Sequence, residues 1–387
     1  MGGEAQKKSL GLVLSAGGAR AAYQVGVLRY LAHELKDFSP KIFTGISAGS
    51  INASFLAQGK PPDAATDALY HLWANIDFNQ VFKTNFRSVF FVMGRLLYDL
   101  FLSKVTRRLL LKSFLDATPL AQTLVSNIDF TQIARGIHNK LVDGVAISAT
   151  NYQLSSTTIF FDSARDIKPW HRENRTAVRS HIKPRHILAS CSIPLVFEPV
   201  RIGRHFYGDG SLRFSFPLSP AIHLGATHLL GLSIHPEIAP ASPGDWGSES
   251  LAPPSSGASP SMDWISMGFV AGCVLNSIFM ESLEADFENL QRMNEATSGL
   301  GMTRKIPALL LRPSQDLGVI AQAYLNEVPF HFRQLLKGFS LKATDMGDLL
   351  SYLMFSPGYV RALLALGEKD AERRRGEVAQ FLASAED

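Results

Sequence analysis

The chain has 387 residues, 46% of them hydrophobic and 19% charged, with a formal net charge of +4. Mean hydropathy is +0.06 and the sequence pI about 9.0, values that exclude a disordered or highly charged chain and leave ample material for a core. The two cysteines, Cys191 and Cys273, lie far apart without metal-ligand spacing, so no disulfide framework or zinc site is expected and a reducing compartment fits. Length allows one large α/β domain with additions, or two to three domains. The mild basicity suits an anionic surface, but no nucleic-acid-binding motif is present.

Met1 to Ser9 is polar and carries no apolar core of a signal peptide. Gly2 follows Met1, but Gln6 breaks the myristoylation pattern. Leu10 to Leu14 reads as a short strand ending in Ser15-Ala16-Gly17-Gly18-Ala19-Arg20, after which Tyr23, Val27, Tyr30 and Leu31 recur at helical spacing. Strand, glycine turn and helix make an anion-binding arrangement. The G-x-G-x-x-G spacing of a dinucleotide site and the Gly-Lys-Ser/Thr of a P-loop are both absent. Two readings stay open for Gly17 and Gly18: backbone donors to an oxyanion, or a packing turn that needs small residues.

A second unit follows at once. The strand pattern Lys41 to Thr44 leads into Gly45-Ile46-Ser47-Ala48-Gly49, and Ser50 to Ala57 reads as a helix. G-x-S-x-G between strand and helix is the setting of a nucleophile elbow. Alone, five residues of this pattern are no more than a glycine-bounded turn. Pro61-Pro62 closes the unit, and Asp63 to Ile76 reads as a helix.

Residues 83–112 hold Lys83, Arg87, Arg95, Lys104, Arg107, Arg108 and Lys112 against one acid, Asp99. Val89, Met93, Leu96, Leu97, Leu100 and Phe101 form one helical stripe, which suits an interface-binding or lid segment as well as an ordinary core helix. Arg95 and Asp99 interrupt this run, so it is no membrane span. Val142 to Thr150 and Ser156 to Asp162 read as strands joined by a hairpin at Asn151 to Ser155, and Asp162 to Arg185 as a polar surface excursion. A helix-like run, Ile187 to Val196, ends at Pro194.

Glu198 to Phe206 then reads as strand, turn at Gly203, strand, leading to Tyr207-Gly208-Asp209-Gly210-Ser211. An aspartate between glycines is either a tight turn or a carboxylate presented as a base. Pro217 to Leu224 is predicted helical and Thr227 to Ile234 a buried strand. Residues 236–261 are rich in Pro, Ser, Gly and Ala and read as a mobile loop. Met262 to Met280 is apolar, but helical periodicity runs on through Glu281 to Phe287, so a buried helix extending to about Glu295 is expected rather than a membrane span. A strand at Ala308 to Arg312 precedes a helical remainder, in which Arg373-Arg374-Arg375 reads as a solvated face.

Strands alternate with helices through two thirds of the chain, which predicts an α/β fold with a mainly parallel sheet and helices on both faces. In such sheets sites lie at the carboxyl ends of strands, and the glycine turn, the Ser47 elbow and Asp209 each follow a strand-like run. These three motifs, in this order, resemble those of the patatin-like phospholipases. The run from Ala189 to Val200 resembles the stretch leading to the family's aspartate, and Asp209 to Ala226 continues the likeness. The helix Leu275 to Asn294 and the stretch Ser351 to Gly367 resemble a bacterial branch of that family.

The resemblance implies a three-layer α/β/α patatin-like fold with a helical C-terminal extension. The implied divisions are a catalytic domain at 8–235, a flexible loop at 236–261, a helix and strand completing the core at 262–314, and the extension at 315–387. It further implies a lipid acyl hydrolase with Ser47 as nucleophile and Asp209 as its base. Gly17, Gly18, Ala19 and Arg20 would form the oxyanion hole, Arg20 being the basic residue of that turn, and Gly45, Gly49 and Gly210 would shape the motifs. No metal or cofactor is required, and the partner is a lipid ester. Ala16 and Ala21 stand where the family usually has glycine, and Ser211 where it usually has glycine or alanine. The alternatives are an α/β-hydrolase triad drawing on His223, His228 or His235, and a non-catalytic lipid-binding protein. A cytoplasmic place is expected, with peripheral contact on the inner membrane surface through 83–112 left open, as is the oligomeric state.

Overall fold

A computed structural model describes residues 8–81, 117–194, 196–237, 283–297, 305–329 and 351–384. The basic stripe at 83–112 and the apolar run at 262–280 lie outside these residues.

Strand β1 (Leu10–Leu14) is buried along its whole length and leads through a short 3-10 turn (Gly18–Ala21) into α1 (Ala22–Glu34). Strand β2 (Pro40–Ile46) leads into α2 (Ala48–Leu56), followed by α3 (Pro62–Ala74) and α4 (Phe78–Val81). Pro62 opens α3 with its φ already set for a helix, and Asp63 faces the positive end of the dipole. Next come α5 (Thr118–Asn127) and α6 (Phe130–His138), the latter capped by Asp129, whose carboxylate accepts from the N–H groups of Thr131 and Gln132.

Strands β3 (Gly144–Asn151), β4 (Ser156–Ser163), β5 (His171–Arg172) and β6 (Arg175–Arg179) precede α7 (Pro184–Ser190). The hairpin β7 (Val200–Ile202) and β8 (His205–Gly208) leads on to α8 (Ser219–His223), β9 (His228–Leu232), α9 (Leu283–Thr297), β10 (Ala308–Leu311) and α10 (Leu317–Gln322). Helices α11 (Pro357–Arg373) and α12 (Arg375–Ser384) close the described chain.

The sheet runs in the order β10-β9-β1-β2-β3-β4-β6-β5. Strands β10, β9, β1, β2 and β3 are mutually parallel, and β4 turns antiparallel to β3. Alternate residues feed opposite layers, as the two-residue period of a strand requires. Leu12, Leu14, Val145 and Ile147 enter the core beneath α1, α2 and α11, while Val13, Ile42 and Ala146 enter the one beneath α8 and α9.

The C-terminal helix is part of this body rather than an appendage. Helix α11 crosses α1 with backbone against backbone: a Cβ on Gly26 would collide with the Leu364 carbonyl, and one on Gly367 with the Tyr23 carbonyl. Arg29 on α1 adds ion pairs to Asp67 on α3 (2.7 Å) and Glu368 on α11 (2.6 Å).

Three local expectations change. The stretch Asp162 to Arg185 is not only an excursion, because β6 pairs parallel with β4 and brings Ala177 into the core. The helix predicted from Ile187 starts at Pro184 and ends at Ser190, since proline at its first turn is already in helical φ. Arg374 is not a solvated residue: it donates to the Leu310 carbonyl (3.0 Å) and grips Glu377 (2.6 Å).

Candidate active site

Strand β2 stops at Ile46, opposite Ser148 of β3. Beyond that point β8 takes over the same side of β3, running antiparallel to it, with Gly208 opposite Thr150 and Tyr207 opposite Asn151. The two strands therefore approach end to end. Ser47 follows the end of β2 and Asp209 the end of β8, so the residues after each strand face each other across a short gap. The glycine turn and Ser47 lie at carboxyl ends of parallel strands, as expected, whereas Asp209 arrives from an antiparallel hairpin.

Ser47 has φ 50 and ψ −127, a region that a residue with a side chain occupies only when its surroundings enforce it. The enforcement is visible. Its N–H donates to the Ser190 hydroxyl (2.9 Å), which in turn donates to the Ser148 carbonyl (2.7 Å). Its carbonyl accepts from the N–H (2.8 Å) and hydroxyl (2.6 Å) of Ser50. Gly45 and Gly49 are pressed together: a Cβ on Gly45 would strike the Gly49 carbonyl, and one on Gly49 the Leu14 carbonyl.

The Ser47 hydroxyl donates to Oδ2 of Asp209 at 2.7 Å. Oδ1 accepts from the backbone N–H (2.9 Å) and the hydroxyl (2.8 Å) of Ser211. The Asp209 backbone is pinned as well, donating to the Ser192 carbonyl (2.8 Å) and accepting from the Thr150 hydroxyl (2.8 Å). Gly210 sits against the Ser148 carbonyl, where a Cβ would collide. Asp209 has no exposed surface. Burial pushes its carboxyl up to about 6, against the opposing pull of the Ser211 and Ser47 hydrogen bonds.

The glycine turn stands beside this pair. Gly18 has φ 53, and a Cβ there would strike the Tyr352 carbonyl, so the position excludes a side chain twice over. The N–H groups of Gly17 and Gly18 meet no protein acceptor among the described residues. Ala19 is buried in the 3-10 turn. The alanines at the two variant positions are unstrained: Ala21 has φ −64, and Ala16 is not among the residues of positive φ.

Arg20 departs from the expectation that groups it with the oxyanion donors. Its backbone N–H is used on the Gly17 carbonyl (3.0 Å). Its guanidinium donates to the Ser351 hydroxyl (2.7 Å) and stacks on Tyr352 at 4.0 Å, so it braces the C-terminal segment.

An apolar pocket opens onto Ser47, lined by Gly18, Cys191, Trp73, Leu124, Tyr352 and Phe355 among others. Trp73 and Phe355 stack at 6.3 Å. The indole N–H of Trp73 donates to Asn52 (2.8 Å), Asn52 to Gln24 (3.1 Å), and Gln24 to Ser15 and the Leu232 carbonyl. This buried chain fixes the pocket wall, the elbow helix and the glycine turn relative to one another. Sequence reasoning missed it, along with Ser190 and Cys191. The available signal was polar Gln24 and Asn52 each set between apolar neighbours, Tyr23 and Val25 in α1 and Ile51 and Ala53 in α2.

No histidine touches Ser47 or Asp209 among the described residues. His223 stacks on Trp170 at 4.5 Å, His228 bonds to Thr227 at the start of β9, and the backbone of His235 donates to Ser233. Among the described residues no group of acids, histidines and cysteines could hold a metal ion, and no helix is long and apolar enough to cross a membrane.

The family model described as Patatin-like phospholipase matches residues 12–222, a span that takes in the glycine turn, Ser47 and Asp209. The chain belongs to the patatin-like phospholipases. Among solved structures, VipD from Legionella pneumophila is 11% identical, over 93% of this chain and 67% of its own, with a TM-score of 0.33. Human GIVD cytosolic phospholipase A2, in complex with methyl gamma-linolenyl fluorophosphonate, is 13% identical, over 98% of this chain and 60% of its own, with a TM-score of 0.45. This patatin-like chain thus spans less than two thirds of the length of the human enzyme. Comparison with the curated proteins gives no match. The pocket residues Tyr352 and Phe355 lie beyond the stretch matched by the patatin-like family model.

Proposed function

We propose that the protein is a lipid ester hydrolase of the phospholipase A or lysophospholipase type, working through a Ser47–Asp209 dyad and an acyl-enzyme. The observation that carries this reading is the 2.7 Å hydrogen bond from the Ser47 hydroxyl to a wholly buried carboxylate. It lies beside an apolar pocket suited to an acyl chain.

A serine hydroxyl is a weak nucleophile until a base takes its proton. In the proposed first step Oγ of Ser47 attacks the ester carbonyl carbon while its proton passes to Oδ2 of Asp209. The N–H groups of Gly17 and Gly18, with that of Ala19, face the resulting oxyanion, each such donor contributing about 2.7–4 kcal/mol in comparable sites. The bond to the alcohol then breaks, and the leaving oxygen takes the proton back from Asp209. Water attacks the acyl-enzyme with its proton moving to Asp209, and the Ser47–acyl bond breaks as that proton returns to Oγ. A carboxylate is a weaker base than imidazole, and burial narrows the difference.

The test is hydrolysis of a panel of phospholipids, lysophospholipids and neutral glycerides. Ser47→Ala and Asp209→Asn are each expected to lose at least about a thousandfold in rate, with labelling by a fluorophosphonate abolished in Ser47→Ala. Full labelling of Ser47→Ala, or activity retained in Asp209→Asn and lost on changing a late histidine, would overturn the dyad.

A further inference from the structure

The carboxyl edge of the sheet carries a surface that the proposed chemistry does not use. Strand β4 starts at this edge because it runs antiparallel to β3, and β6 starts there because it is parallel to β4. The β3–β4 turn (152–155) and the β5–β6 turn (173–174) therefore both point outward from it. The β7–β8 hairpin rises beside them: its Phe206 carbonyl accepts from the Tyr152 N–H (3.0 Å), and its Phe206 N–H donates to Gln153 (2.8 Å). Arg213 is tied to the same edge by the Thr157 hydroxyl on its carbonyl (3.1 Å). Phe216 is held there under the Arg175 guanidinium, 4.2 Å from its ring. Each of the three turns contains a residue of left-handed φ, namely Ser155, Asn174 and Gly203, so they are tight turns rather than loose loops.

The composition of this edge is one-sided. Leu154 is 59% exposed, Phe216 44%, Phe206 43% and Tyr152 37%. Around them stand the exposed Arg172, Arg201, Arg204 and Arg213, with Arg175 half-buried over Phe216 and near Asp286, and in segments 152–155, 171–175, 201–206 and 213–216 the single carboxylate is Glu173. Exposed aromatic and aliphatic tips ringed by arginine are poorly suited to water and to a cationic or acid-poor partner. They match a surface that offers negative head groups above hydrocarbon. The edge also lies directly over Asp209, which follows β8.

We propose that this edge, built from the β3–β4 turn, the β7–β8 hairpin and the segment from Arg213 to Phe216, docks the protein on an anionic lipid surface. Leu154, Phe206 and Phe216 enter the head-group boundary, and the exposed Arg172, Arg201, Arg204 and Arg213 face the lipid anions. The occupant is a membrane rather than a second protein copy, because like-charged arginine clusters would oppose each other across a two-fold contact. The proposal is independent of the dyad, since binding is read with the chemistry switched off.

The experiment is flotation of full-length Ser47→Ala protein with vesicles of phosphatidylcholine alone and of phosphatidylcholine with 30% phosphatidylglycerol. Binding is expected to the anionic vesicles only and to weaken as salt rises. Arg201→Gln/Arg204→Gln removes two exposed charges and is expected to weaken binding about 25-fold, roughly fivefold per arginine. Leu154→Ser/Phe206→Ser is expected to abolish what salt leaves. Both pairs, made in the wild-type background, are expected to keep fluorophosphonate labelling in solution, which separates lost docking from lost folding. Equal binding to both vesicle types would overturn the proposal. So would unchanged binding by either pair, or a dimer in solution that these substitutions dissociate.

Discussion

Asp209 must be ionised to accept a proton, yet it is wholly buried, and burial favours its neutral form. With its carboxyl pushed up to about 6, the proposed base is lost as pH falls through that value. Turnover should therefore drop about tenfold per pH unit below it and level off above. Ser211 bears on this balance, since its hydroxyl is one of two groups holding Oδ1 and its bond favours the charged form. Ser211→Ala should move the acid limb of the pH–rate profile upward by on the order of one unit. Each profile is normalised to its own alkaline plateau, so a merely damaged site, which lowers all rates alike, would leave the limb where it was.

At the scale of elements, the contact between α1 and α11 makes a prediction of sign. Helix propensity alone says that Gly367→Ala stabilises α11, by up to about 1 kcal/mol. Packing says the reverse, because the new Cβ meets the Tyr23 carbonyl, which is backbone and yields little. Overpacking of this kind costs about 1–3 kcal/mol, so packing should win, and urea denaturation should show a lower midpoint for the variant. The same elements show what the sequence could disclose. Strands β1, β2, β3 and β9 and the helices after the first two were legible because each is a local run of apolar residues bounded by glycine or proline. The pairing of β8 beyond the end of β2 was not, because register is settled between residues some sixty positions apart. Nor was the role of Arg20, whose partners Ser351 and Tyr352 lie more than 330 residues away. The Gln24–Asn52–Trp73 chain was equally hidden, each member being a single polar residue among many.

For the molecule as a whole, the buried Asp209 carboxylate is a standing load on stability. A carboxyl raised in the folded state stabilises the fold below its ordinary unfolded value near 3.9, and that contribution is lost as pH rises through about 6. At pH 7 the folded chain therefore carries a cost on the order of 2–3 kcal/mol for keeping Asp209 charged. Asp209→Asn retains the shape and sheds the charge, so its thermal midpoint at pH 7 should exceed that of the wild type. At pH 4 the gap should close. An unchanged difference at both pH values would mean that the carboxylate is not the source.

The end-to-end approach of β2 and β8 also bears on the order in which the candidate site is assembled during synthesis. Ser47 leaves the ribosome 162 residues before its partner. Until Tyr207 and Gly208 find the last two residues of β3, Ser47 lacks its carboxylate partner, and until Tyr352 arrives the glycine turn has no roof. A nascent or truncated chain can thus hold an intact G-x-S-x-G and still lack the Ser47–Asp209 pair. Under the proposed dyad, lipid cleavage waits on both of these long-range contacts, a delay written into strand order.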